Sequence, residues 1–331
     1  MSFAAVLGAG SWGTTFAKVL ADAGRPVVLW SRRPELVRAV RERRENPDHL
    51  PGVRLPERVT ATTDPAAALA GARLVALAVP AQSLRGALAA LAPLLPADAL
   101  LVSLMKGVEI GTARRMSEVV AEVGRVEPGR IAVVSGPNLA AEIAAEQPAA
   151  TVVAGTDGAA VRRLQQACTT PYLRPYTNSD VVGCEIAGAA KNVIALACGM
   201  AQGKGFGDNT RASLVTRGLA EIRRLGIALG GRAETFAGLA GLGDLVVTCS
   251  SPLSRNRRFG EQLGRGRSVG QARAAVRETA EGVASGRPIL DLATRCGVDM
   301  PITEHVVQVV EGALTPDQMV KSLMSRDLKA E

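Results

Sequence analysis

Residues 3–13 read FAAVLGAGSWG, a short apolar run that ends in Gly8-Ala9-Gly10-Ser11-Trp12-Gly13. This is G-x-G-x-x-G at the exit of a β-leaning segment. The helical pattern TTFAKVLADAG (14–24) follows it, and a second apolar run, VVLW (27–30), comes next. In that setting Gly8 lets the chain turn tightly, Gly10 lets a pyrophosphate approach the backbone, and Gly13 lets helix and strand pack closely. The helix N-terminus then faces the negative charge. Strand, glycine turn, helix and strand together predict a dinucleotide-binding unit rather than a mere tight turn.

Working outward, the same alternation continues through the first half of the chain. LVALAVP (74–80), LLVSLM (100–105), IAVVSGP (131–137), ATVVAG (150–155) and YLRPYTN (172–178) are short and mostly apolar, with helix-length segments between most of them. Nearly continuous apolar strands alternating with helices imply a parallel, doubly wound sheet buried on both faces. After Ser179 the period changes. The stretches 181–203, 210–229, 269–279, 289–296 and 302–314 place apolar residues at three- and four-residue spacing, and no convincing strand appears. The expected fold is therefore α/β, a Rossmann-type domain over 1–178, followed by an all-helical substrate-binding domain over 179–331.

Composition narrows the function. A length of 331 residues suits two cores rather than one. The net charge of +8 admits nucleic acid, a membrane surface or an anionic metabolite, but at 3% aromatic residues there is little material for base stacking. A phosphorylated small molecule is the preferred partner, and no nucleic acid is expected. Cys168, Cys184, Cys198, Cys249 and Cys296 show no paired or zinc-type spacing, so no metal is expected and the thiols read as reduced and buried. The N-terminus shows no leader pattern, and Glu185, Lys191 and Asn192 interrupt the apolar helix 181–200, so a cytoplasmic protein without membrane insertion is expected. The oligomeric state is left open, a homodimer included.

That apolar helix carries the residue that needs explaining. Among 39 Lys plus Arg, lysine occurs only at Lys18, Lys106, Lys191, Lys204, Lys321 and Lys329. Arginine is the default cation here, and a lysine among small and aliphatic residues offers what arginine cannot: a proton that can leave. Glu185, Gly188, Lys191 and Asn192 share one helix face, which predicts one wall of a ligand site. Lys106 follows a strand at the edge where doubly wound sheets bind their ligands. Ser254-Arg255-Asn256-Arg257-Arg258 gathers hydroxyl, amide and guanidinium donors suited to a phosphate. Asp244 is either a helix cap or a partner in the site. At the end of the second strand, Ser31-Arg32-Arg33 stands where an NAD site usually has an acid, so NADP is favoured over NAD.

With these residues in view, the segments GAGSWGTTFA, NPDHLPG, KGVEIGT, SGPNLAAEIA, CEIAGAAKNVIALACGM, NTRASLVTRGLAEIRRLG and GLGDLVVTCSSPLSRNRRFG resemble the bacterial NAD(P)-dependent sn-glycerol-3-phosphate dehydrogenase family over nearly the whole chain. The resemblance implies interconversion of dihydroxyacetone phosphate and sn-glycerol 3-phosphate, the backbone of membrane phospholipids. It implies Lys191 as the catalytic acid and base, with Lys106, Asp244 and Thr248 at the reacting centre. Gly136, Asn138, Ser254, Arg255 and Asn256 match substrate contacts. Ser11, Trp12, Arg32, Arg33, Lys106, Ala140, Arg255, Thr279 and Glu281 match cofactor positions. The departures are Asn138 for the family's usual Ser or Thr, His49 for Tyr, and Thr279 for an aliphatic residue. A reductase for a β-hydroxy acid would share the glycine turn and a helical lysine but would need fewer donors than 254–256 supply. A non-catalytic NADPH sensor would have no use for Lys106, Lys191 and Asp244 together.

Overall fold

A computed structural model of the chain describes residues 3–276 and 280–327. The chain forms two compact units, Met1–Lys106 with Arg114–Glu185, and Gly107–Ala113 with Ile186–Glu331. The last strand ends at Asn178, whereas the compact units divide at 185/186, inside a helix, with 107–113 belonging to the second.

The first unit is built on eight strands: β1 Ala4–Leu7, β2 Val27–Trp30, β3 Val59–Thr62, β4 Leu74–Leu77, β5 Leu100–Ser103, β6 Ile131–Ser135, β7 Ala149–Gly155 and β8 Leu173–Asn178, in the order β3-β2-β1-β4-β5-β6-β7-β8. Its helices are α1 Ser11–Asp22, α2 Pro34–Arg43, α3 Pro65–Leu69, α4 Leu84–Leu91, α5 Met116–Gly124, α6 Ala140–Ala144 and α7 Gly158–Ala167. Alternate residues of one strand serve opposite faces. Ala4 and Val6 pack with Phe16 and Leu20 of α1, while Ala5 and Leu7 join Leu84, Leu88 and Val119 on the other side.

Two features depart from the sequence expectation. The sheet is not wholly parallel, because β7 runs antiparallel to β6, with Ala132 opposite Gly155 and Ser135 opposite Val152. The intervening α6 has only 5 residues, too short to carry the chain back along the sheet for a parallel return. Strand β3 was not anticipated: it lies at the sheet edge and reads VTAT, with Val59 and Ala61 buried and Thr60 exposed, so it lacks a continuous apolar run.

The second unit is helical: α8 Val181–Gly203 (its first residues belonging to the first unit), α9 Asp208–Ala228, α10 Ala233–Ala237, a π-helical turn Leu239–Gly243, α11 Asp244–Ser250, α12 Arg255–Gly264, α13 Val269–Ala275, α14 Glu281–Arg295, α15 Pro301–Val310 and α16 Pro316–Met324. Among the described residues no strand follows Asn178. Helix α14 starts eight residues earlier than its apolar pattern suggests, and the buried Pro288 sits inside it. Helix α8 is long and apolar enough to cross a membrane, yet 89% of its most apolar window is buried within the protein. It meets α12 backbone to backbone. A Cβ on Gly199 would lie 2.0 Å from the Arg257 carbonyl oxygen, and one on Gly260 would lie 2.1 Å from that of Leu196. One turn on, Gly203 and Gly264 repeat the contact at 2.3 Å from Glu261 O and 2.2 Å from Met200 O. No other residue type permits this approach.

Candidate active site

In the first unit the three glycines of the turn differ in what surrounds them. Gly8 has φ +117°, and a Cβ there would sit 2.5 Å from the Ala78 carbonyl oxygen. A Cβ on Gly13 would lie 2.1 Å from Gly8 O, so both glycines are required by the protein's own packing. Gly10 is different: nothing lies within 4 Å of a Cβ built on it. Open space over the second glycine is what an approaching pyrophosphate needs. Gly10 caps α1, no side chain fills the cap, and the first turn holds no acid. Trp12 Nε1 is buried without a partner in the protein. These features fit a dinucleotide phosphate held by Gly10, Ser11 and the start of α1.

The turn is braced by a residue that no sequence signal marked. Asn46, fully buried, donates from Nδ2 to Ala9 O at 2.8 Å and to Thr14 Oγ1 at 2.7 Å. At the end of β2, Ser31 is buried while Arg32 and Arg33 are exposed. Arg33 pairs with Glu35 (Nε to Oε1, 2.6 Å) and Asp48 (Nη2 to Oδ2, 2.6 Å). At the start of α6, Ala140 O accepts from Thr15 Oγ1 of α1 at 3.1 Å, which ties that proposed cofactor position to the dinucleotide helix.

Lys106, just beyond β5, donates from Nζ to Gly136 O just beyond β6 at 2.9 Å. Gly136 has φ +135°, a conformation open to glycine but strained for other residues. Two residues on, both side-chain atoms of Asn138 are buried and have no partner in the protein. A buried amide left unpaired is costly.

The second unit carries Lys191 on α8. Lys191 is 6% exposed, and its ammonium donates to Asp244 Oδ1 and, at 2.5 Å, to Thr248 Oγ1. Asp244 and Thr248 are one turn apart on α11 and so present both oxygens on one face. The π-helical turn before them is tight, since a Cβ on Gly241 would lie 2.2 Å from Phe236 O. Asp244 is not a helix cap: α11 follows Gly243 with no side-chain capping bond, and the Asp244 carboxylate meets the ammonium instead.

Next to Lys191, Asn192 Oδ1 accepts from Asn256 Nδ2 at 3.0 Å, and Asn256 Oδ1 accepts from Gly282 N at 2.9 Å. This relay fixes which way the Asn256 amide faces and consumes one of its two N–H donors. It also ties Glu281, at the first position of α14, to the start of α12. Ser254 Oγ accepts from Arg257 N at 3.3 Å, capping α12, and Arg255 opens that helix half-buried. The capping reading and the ligand reading of Ser254 are compatible, because the hydroxyl proton is still to be given. Thr279 lies outside the described residues.

Glu185 does not belong to the lysine's cluster. Its carboxylate accepts from Arg115 Nη1 (2.7 Å), Ser117 N (2.8 Å) and Ser117 Oγ (2.5 Å) in the first unit, at the start of α5. Burial pushes its pKa up against the opposing pull of Arg115. The shared helix face expected from the sequence is thus divided between two jobs. Beside Thr248, a hydrogen bond donated to Cys198 together with burial holds the Cys249 thiol well above the ordinary range, so it stays neutral. Cys168, Cys184, Cys198 and Cys249 are buried.

Sequence models of the NAD-dependent glycerol-3-phosphate dehydrogenase N-terminus and C-terminus match residues 4–161 and 180–321. Glycerol-3-phosphate dehydrogenase [NAD(P)+] of Frankia casuarinae is 62% identical, covering 99% of this chain and 97% of its own; that of Streptomyces avermitilis is 61% identical, covering 99% and 98%. The crystal structure of glycerol-3-phosphate dehydrogenase from Coxiella burnetii superposes with a TM-score of 0.93 at 38% identity, over 98% of this chain and 99% of its own. D-mandelate dehydrogenase, at 15% identity and a TM-score of 0.63, shares the fold alone. With the glycine turn, the buried lysine and the donor-rich start of α12 all in place, the chain belongs to the NAD-dependent glycerol-3-phosphate dehydrogenase family.

Proposed function

We propose that the chain performs its family's reaction, the NAD(P)H-dependent reduction of dihydroxyacetone phosphate to sn-glycerol 3-phosphate, with Lys191 as the proton donor. The observation that carries this reading is a buried ammonium held by a carboxylate and a hydroxyl, on a helix packed against the one that presents Ser254, Arg255 and Asn256. A reduced nicotinamide dinucleotide held by Gly10, Ser11 and the start of α1 would supply the hydride for the carbonyl carbon. As charge builds on the carbonyl oxygen, Lys191 Nζ stabilises it and delivers a proton to it. Asp244 and Thr248 orient the ammonium so that its motion is restricted. In the oxidative direction the neutral amine of Lys191 accepts the hydroxyl proton, and Asp244 stabilises the ammonium that results.

Arg255 and the remaining N–H of Asn256 bind the phosphate, with Ser254 donating its hydroxyl. Lys106, Gly136 and Asn138 are proposed as further substrate contacts. Ser11, Trp12, Arg32, Arg33, Ala140, Arg255 and Glu281 are proposed to hold the cofactor, with NADPH preferred through Arg32 and Arg33. The product feeds phospholipid synthesis, and we place the enzyme in the cytoplasm, without membrane insertion.

Following NADPH and NADH oxidation at 340 nm ~ the nicotinamide absorbance band ~ with dihydroxyacetone phosphate and with unphosphorylated dihydroxyacetone tests the reading. Turnover of the phosphate ester, and little of the free triose, is expected; equal turnover of both would remove the role given to residues 254–256.

A further inference from the structure

The end of β2 carries no acidic residue in sequence, but the fold delivers one from elsewhere. Asp48, in the loop between α2 and β3, sets Oδ2 2.6 Å from Arg33 Nη2. Glu35 takes the same guanidinium at Nε. The loop is not a loose surface segment. Leu55 N donates to Arg44 O at 2.7 Å and Leu50 N to Asn46 O at 2.9 Å, closing it on itself. Two residues before Asp48, the buried Asn46 pins it to Ala9 and Thr14 of the glycine turn. Asp48 is therefore fixed relative to the place where the dinucleotide's phosphates are expected.

We propose that Asp48 is a selectivity-determining residue for the cofactor: its carboxylate serves the ribose 2′-hydroxyl of NAD and opposes the 2′-phosphate of NADP by competing for Arg33. The inference rests on the reading that residues 31–33 face the adenosine ribose. A 2′-phosphate gains Arg33 only by displacing carboxylates already on it, and it meets their charge as well. A 2′-hydroxyl needs an acceptor, and a carboxylate at this position is the usual one. The pair is half-exposed, with Arg33 at 47% and Asp48 at 44%, so the bias is one of several-fold rather than a strict exclusion. On this account the chain tolerates both cofactors because the cation and the anion that each prefers stand side by side.

The test is a binding titration of NADPH and NADH by nicotinamide fluorescence, without substrate, on the wild type, Asp48→Asn, Arg33→Ala and the double variant. Asp48→Asn is expected to raise the ratio Kd(NADH)/Kd(NADPH) by roughly threefold or more, about the weight of an exposed ion pair. The NADPH share of that change should shrink in the Arg33→Ala background, since the competition runs through the guanidinium, while the loss of NADH affinity, which comes from the direct bond to the 2′-hydroxyl, should persist. An unchanged ratio in Asp48→Asn, or an equal change in both backgrounds, overturns the proposal. Failure of Arg33→Ala to weaken NADPH would instead overturn the underlying placement of the ribose.

Discussion

Lys191 illustrates what a single residue reveals. Its oddity was legible because arginine is the usual cation in this chain, and the structure gives its ammonium hydrogen bonds to Asp244 and Thr248, the residues the family resemblance grouped with it. Lys191→Arg keeps the charge but cannot release a proton at working pH. Its kcat is expected to fall by roughly a hundredfold or more while Kd for NADPH holds, as stopped-flow and fluorescence titration would show. Asn138 makes the complementary case. Its amide is buried without partners, so Asn138→Ala removes an unpaired polar group from the ligand-free protein and should leave Tm equal or higher. KM for dihydroxyacetone phosphate should rise about tenfold in the same variant, and a lowered Tm with unchanged KM would assign Asn138 a structural role. Neither the Asn192–Asn256–Gly282 relay nor the Asn46 brace was legible beforehand. Each depends on which elements the fold brings together, and an isolated asparagine carries no mark of its neighbours.

At the scale of elements, the long apolar strands and α8 announced themselves through period and length, while β3 and the helices of 244–264 did not. Strand β3 alternates at a sheet edge, and α12 has polar residues around much of its surface because it packs through glycine rather than through large side chains. Gly199→Ala would drive a methyl group into the Arg257 carbonyl, and the expected cost is about 3 kcal/mol or more, against less than about 1 kcal/mol for Gly207→Ala, where nothing lies within 4 Å. Urea unfolding of the two variants measures the contrast.

Glu221 of α9 offers a pH test. Its carboxylate accepts from Ile302 N at 2.7 Å and Thr303 N at 3.1 Å at the start of α15, yet burial outweighs these bonds and pushes its pKa up to about 7. A carboxyl that binds its proton more tightly when folded contributes stability that is full below about pH 4.5 and lost as pH rises through about 7. Glu221→Gln should flatten that decline, worth on the order of 3 kcal/mol between the limits. Matching slopes of Tm against pH in wild type and variant would show that the group titrates elsewhere.

For the molecule as a whole, the change from alternating strands to helices was plain in the sequence, whereas the reversal of β7 was not, because strand direction depends on the path of the connection and not on the strand's own residues. The glycine contacts between α8 and α12 have a further meaning at this scale. Lys191 and Asn256 ride on two rods whose main chains touch, with no compressible side chain between them to absorb a change in spacing. The span from the proposed proton donor to the proposed phosphate anchor is therefore a rigid gauge for the substrate's carbon chain: a ketose phosphate one carbon longer would hold its anion in the cradle and present the wrong atom to the amine.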